Sequence, residues 1–115
     1  MNQEMILNTE DLELITLAAK AAGYKFRGFD DFYGDYICYD PETDCNNQWN
    51  PLVRDQDAFR LAVALKITVS LFEKDVETTG FNSGATLMEA YCDDAEAAVR
   101  RAIVRYAAYL ARKLK

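Results

Sequence analysis

One stretch constrains this chain more than any other: Trp49-Asn50-Pro51-Leu52, followed closely by Asp55-Gln56-Asp57-Ala58-Phe59-Arg60-Leu61-Ala62-Val63-Ala64-Leu65. It carries the only tryptophan, one of two prolines and the sharpest change from irregular chain to helix. Asp55 is placed to accept a backbone N–H at the helix start, as an N-cap does. At 100° per residue, Ala58, Phe59, Leu61, Ala62, Val63 and Leu65 spread over a broad apolar arc, which predicts a helix pressed closely on a sheet.

Two further helices flank this one. Residues 8–22 start at Asn8 or Thr9, carry Glu10 and Asp11 where the helix dipole favours acids, and stop at Gly23. Leu14, Leu17, Ala18 and Ala21 form their apolar stripe. The last helix is expected from Asp93 to about Lys113, with Asp93-x-x-Glu96 spaced as a capping box. Its stripe is Val99, Ile103, Tyr106, Leu110 and Leu114. Arg100, Arg101 and Arg112 are expected to be largely exposed, with Glu96 and Arg100 an (i, i+4) pair.

Between the helices, alternation predicts four strands: Tyr24–Arg27 and Tyr36–Tyr39 as one hairpin, Ile67–Glu73 and Ala85–Cys92 as another. Residues 40–47 and 75–84 are polar and read as loops, and Met1–Leu7 as an arm or short strand. The order is α-β-β-α-β-β-α, a single α+β domain over 1–115 with one antiparallel sheet covered by helices.

Charge and chemistry narrow the function. The net charge of −6 is uneven: residues 93–115 sum to +3, leaving −9 for the first 92. So acidic a chain is poorly suited to nucleic acid, whose binding is largely electrostatic. No apolar run reaches the roughly 18 residues of a membrane span and no signal peptide is visible, so a cytoplasmic protein is expected. The three cysteines suggest reduced thiols rather than a disulfide framework. With no histidine in the chain, the commonest general base and the Ser-His and Cys-His pairs are missing. No cofactor motif or metal set stands out, and the acids match no calcium loop.

Two surfaces are candidates for binding. The first is the acidic hairpin, where Asp30, Asp31, Asp40 and Asp44 surround Tyr33, Tyr36 and Tyr39; carboxylates and amphipathic rings together suit a basic protein partner. The second places Trp49 and Asn50 beside Arg100, Arg101 and Arg105, a stacking ring with cations for an anionic, nucleotide-like ligand. Its bland counterparts are a core tryptophan and a solvated helix face; the arginines are also placed to hold acids of the central helix, Asp55 or Asp57. A hydrolase is a third reading, but no catalytic pair can be picked from nineteen acids without geometry.

Trp49-Asn50-Pro51-Leu52 leading into Asp57-Ala58-Phe59-Arg60-Leu61-Ala62-Val63, and the helix Ala98-Val99-Arg100-Arg101-Ala102-Ile103-Val104-Arg105-Tyr106-Ala107-Ala108, carry a resemblance. Together they resemble a group of small bacteriophage and prophage proteins, the phage "ABA sandwich" domain, which has no assigned activity. The match covers residues 49–66 and 95–112. Phe59 departs from the small or aliphatic residue of the pattern, and the acidic 30–44 segment has no counterpart. The resemblance implies a sheet covered by helices on both sides and action inside an infected bacterium. The expected role is an accessory protein that binds a host protein, inhibition of a host defence being one such role.

Overall fold

The computed structural model describes residues 7–80 and 85–114. Residues 1–6 of the expected Met1–Leu7 arm and residues 81–84 of the expected 75–84 loop lie outside the described residues. Helix α1 (Thr9–Ala22) begins where expected: the Asn8 side chain accepts the Asp11 N–H at 2.8 Å. It ends at Gly23 in the left-handed conformation, φ 86°, whose N–H returns to the last turn.

A three-stranded antiparallel meander follows: β1 (Lys25–Asp30), β2 (Asp35–Asp40) and β3 (Cys45–Gln48). The β1–β2 register slips between Phe26 and Gly28, and Gly28 takes φ 85°, as a bulge requires. Helix α2 (Asp55–Leu65) turns through Lys66, φ 57°, directly into a second meander of β4 (Ile67–Leu71), β5 (Asp75–Gly80) and β6 (Thr86–Ala90). Helix α3 (Ala95–Arg112) closes the fold.

The fold is α+β, but the single sheet is corrected to two three-stranded sheets, and the order to α-β-β-β-α-β-β-β-α. Two of the strands lie where polar composition predicts loop. β3 is Cys45-Asn46-Asn47-Gln48, exposed along its length, so no apolar periodicity marks it. β5 is the central strand of its sheet, with Val76 and Thr78 buried. Thr78 occupies a core position by donating its hydroxyl to the Ala102 carbonyl at 3.5 Å.

Helix α3 organises the packing. α1 lies against α3 and touches β1, while α3 also packs on α2 and on all three strands of the second sheet. The chain of contact therefore runs from one sheet through the helices to the other. That differs from one sheet covered on both sides. Ala18, Ala19, Ala107 and Ala108 are fully buried, and such small side chains let α1 and α3 approach closely. Ile103 and Tyr106 are buried as their stripe predicts, whereas Leu110 is only half-buried and Leu114, past the end of the helix, is exposed. α3 starts one residue later than expected: Asp94, not Asp93, accepts the Ala97 N–H, at 3.0 Å. No helix among the described residues is long and apolar enough to cross a membrane.

Candidate functional site

The Trp49-Asn50-Pro51-Leu52 segment is a structural junction. The Trp49 N–H donates to the Tyr36 carbonyl on β2 at 2.8 Å, and the Asn50 N–H donates to the Asp57 carboxylate on α2 at 2.9 Å. Arg100 on α3 donates from Nε to the Leu52 carbonyl at 2.9 Å. Four residues thus join the first sheet to two helices. Asn50 turns the chain: its carbonyl accepts the Val53 and Arg54 N–H groups, and its Oδ1 accepts that of Leu52.

Trp49 is 6% exposed and packs edge-on against Tyr24 at 5.8 Å between centroids, so it is a core residue and not an open stacking platform. Asn50 is fully buried. The arginines placed beside them are occupied elsewhere. Arg100 pairs with Asp55 at 2.6 Å, and Arg101 pairs with Asp11 at 2.9 Å and reaches Glu10 at 4.0 Å. Arg105 pairs with Glu89 at 2.5 Å. Arg100 and Arg101 are therefore half-buried, and only Arg112 is exposed as expected. Asp55 does not cap α2: Arg54 holds that position without a side-chain bond, and Asp55 opens the helix facing Arg100.

The acidic surface divides in two. β2 is the central strand of the first sheet, and its six residues separate Asp30 and Asp31 at one end from Asp40 and Asp44 at the other. At the usual rise the ends lie about 17 Å apart. Tyr36, expected on this surface, is buried between Phe26 and Phe29, and its hydroxyl accepts the Leu7 N–H at 2.8 Å. Asp35 is buried against Arg54, which also reaches Asp57 at 3.4 Å. At the Asp40–Asp44 end, Tyr39 donates its hydroxyl to Asp44 and Arg27 lies over the Tyr39 ring. The Asp44 carboxylate raises the Tyr39 pKa by accepting that hydrogen bond.

The other end presents aromatic surface. In the β1–β2 turn Phe32 is 89% and Tyr33 50% exposed, their rings 5.2 Å apart and nearly perpendicular. The Asp30 side chain accepts the N–H groups of both residues, at 2.8 and 3.2 Å, which fixes the turn that presents them. Sequence reasoning does not single out Phe32; adjacent aromatics flanked by acids in a hairpin turn are the available signal.

A polar cavity of about 750 Å³ lies beside the junction, lined by Tyr24, Cys38, Asp40, Trp49, Asp57 and Arg60 among others. Burial, then the nearby Asp40 carboxylate, raises the Tyr24 pKa, with Arg60 acting the other way. Burial followed by Asp57 pushes the Cys38 thiol up to about 12. With carboxylates and guanidinium groups both present, the cavity favours a polar neutral or zwitterionic molecule over a polyphosphate. No protein-family model, curated protein or solved structure matches this chain.

Proposed function

We propose that this chain is a protein-binding module whose contact point is the Asp30-Asp31-Phe32-Tyr33 turn, serving as a phage or prophage accessory protein that engages a host protein. The observation that carries the reading is the Phe32–Tyr33 ring pair, held outside the core by a fixed turn. Aromatic anchors of this kind supply most of the energy at interfaces, and ordering them before binding reduces the entropic cost. The flanking carboxylates favour a partner with an apolar socket rimmed by basic residues.

Affinity capture from host cells, followed by titration of the purified partner, tests this. Phe32→Ser with Tyr33→Ser is expected to weaken binding by at least about 30-fold, the scale of a hot spot of about 2 kcal/mol. The thermal midpoint should stay unchanged. Equal affinity for the variant and the parent overturns the assignment.

The polar cavity supports a second reading, sequestration of a small polar ligand. Native mass spectrometry of the purified protein would then show an added mass that denaturation releases. An added mass undiminished in an Arg60→Ala variant would locate the ligand elsewhere.

A further inference from the structure

The wide apolar arc of α2 is only half used. Ala58, Leu61 and Ala62 are buried, but Phe59 is 69% and Val63 57% exposed. These two face a groove of about 750 Å³ bounded by α2, β4 and α3, with Ile67, Val69 and Leu71 on its floor. Leu71 is 66% exposed.

β4 is also an edge strand. The Phe72 N–H donates to the Asp75 carbonyl at 2.9 Å, so Phe72 turns its main chain towards β5. By alternation Thr68 and Ser70 do the same, and Ile67, Val69 and Leu71 direct their N–H and C=O groups away from the sheet. The other edges carry devices that discourage pairing. β1 has a bulge and the charges of Lys25 and Arg27, β3 is only four polar residues long, and β6 carries Glu89. β4, Ile67-Thr68-Val69-Ser70-Leu71, has no charge, proline or bulge.

We infer that β4 and this groove form the interface of a symmetric homodimer, a second copy pairing antiparallel about Val69. Ile67 of each copy then lies opposite Leu71 of the other, with roughly six new main-chain hydrogen bonds and one continuous six-stranded sheet. The floor residues merge into a single apolar stripe, with Phe59 and Val63 from both copies over it.

Charge and area both fit a second copy. Asp55, paired with Arg100, and Glu96 line one end of the groove and leave it one net negative charge, and Lys66 lies at the opposite end of α2. A two-fold axis carries Lys66 of each copy towards the acidic end of the other. Phe59, Val63 and Leu71 expose on the order of 300 Å² together, given about 150–250 Å² for a whole aromatic side chain. A standard interface takes about 800 Å² per partner, about 65% of it apolar in homodimers. Three residues thus provide more than half of the apolar share.

Sedimentation equilibrium of the full chain at about 100 μM, well above the micromolar limit of standard interfaces, should give twice the monomer mass. Phe59→Glu and Leu71→Glu, which put a carboxylate into the apolar seam, should each raise the dissociation constant at least 30-fold, as hot-spot losses do, with an unchanged circular dichroism spectrum. Hydrogen exchange on the parent chain provides a readout independent of any variant: the Val69 and Leu71 amides should become more protected as concentration rises. A monomer at the highest concentration overturns the proposal. So does a dimer indifferent to both substitutions, or one whose β4 amides exchange at the same rate at every concentration.

Discussion

Asp57 shows how much one carboxylate can organise. It accepts the N–H of fully buried Asn50 and shares Arg54 with Asp35, so the strand-to-helix junction depends on it. Asp57→Ala leaves that donor without its acceptor and should cost about 1–3 kcal/mol. Urea unfolding followed by Trp49 fluorescence checks this, and an unchanged midpoint would mean that the Asn50 amide had found another acceptor. The cysteines should separate cleanly in reactivity, because the thiolate is the reacting species. Cys38 is buried with its pKa at about 12, while Cys45 and Cys92 are exposed. Iodoacetamide at neutral pH should label Cys45 and Cys92 and spare Cys38 until the chain unfolds. Peptide mapping that finds Cys38 labelled as fast as Cys45 would contradict its burial.

At the scale of elements, the close approach of β5 to α3 makes Gly80 sensitive. A Cβ there would lie 2.7 Å from the Tyr106 hydroxyl oxygen and 2.8 Å from Cε1, and that ring is fully buried. Gly80→Ala should therefore destabilise by about 1–3 kcal/mol, the usual cost of overpacking, measurable by thermal unfolding. A midpoint equal to the parent's would show that the ring moves aside freely. The elements that sequence reasoning found were those with an end signal or an alternating apolar face: Asn8 and Gly23 bound α1, and Ile67, Val69 and Leu71 mark β4. β3 offered no apolar alternation, and Thr78 hid a core position of β5 behind a polar name. The acids of the first meander were recognisable, but their division between two ends was not, because it follows from pairing rather than composition. A pairing of the α3 arginines with Asp55 is expected from sequence and found for Arg100, whereas the partners of Arg101 and Arg105 come from α1 and β6, contacts that no local pattern displays.

For the molecule as a whole, several acids bind their protons more tightly when folded. Burial does this for Cys38 and Tyr24, and the bond to Asp44 does it for Tyr39. The unfolded chain releases those protons first, so rising pH favours it. For Cys38 the stabilisation is complete below its ordinary pKa of 9.0 and is lost as pH climbs towards about 12. The melting temperature should hold steady up to about pH 8 and fall by about pH 11, with a shallower fall in Cys38→Ala. An identical decline in that variant would assign the effect to the tyrosines.

The central place of α3 has a consequence for biosynthesis. The helix against which α1, α2 and the second sheet pack is the last element in chain order. At about 5–20 residues per second, α1 waits on the order of ten seconds on the ribosome before its packing partner is made. Through that interval Leu14, Ile15, Ala18 and Ala19 lack the helix that covers them. Nascent chains stalled before Ala95 should be cut readily by protease and held by chaperones, with resistance appearing only once residue 112 has emerged. Resistance in the shorter chains would show that the earlier elements had already closed on one another.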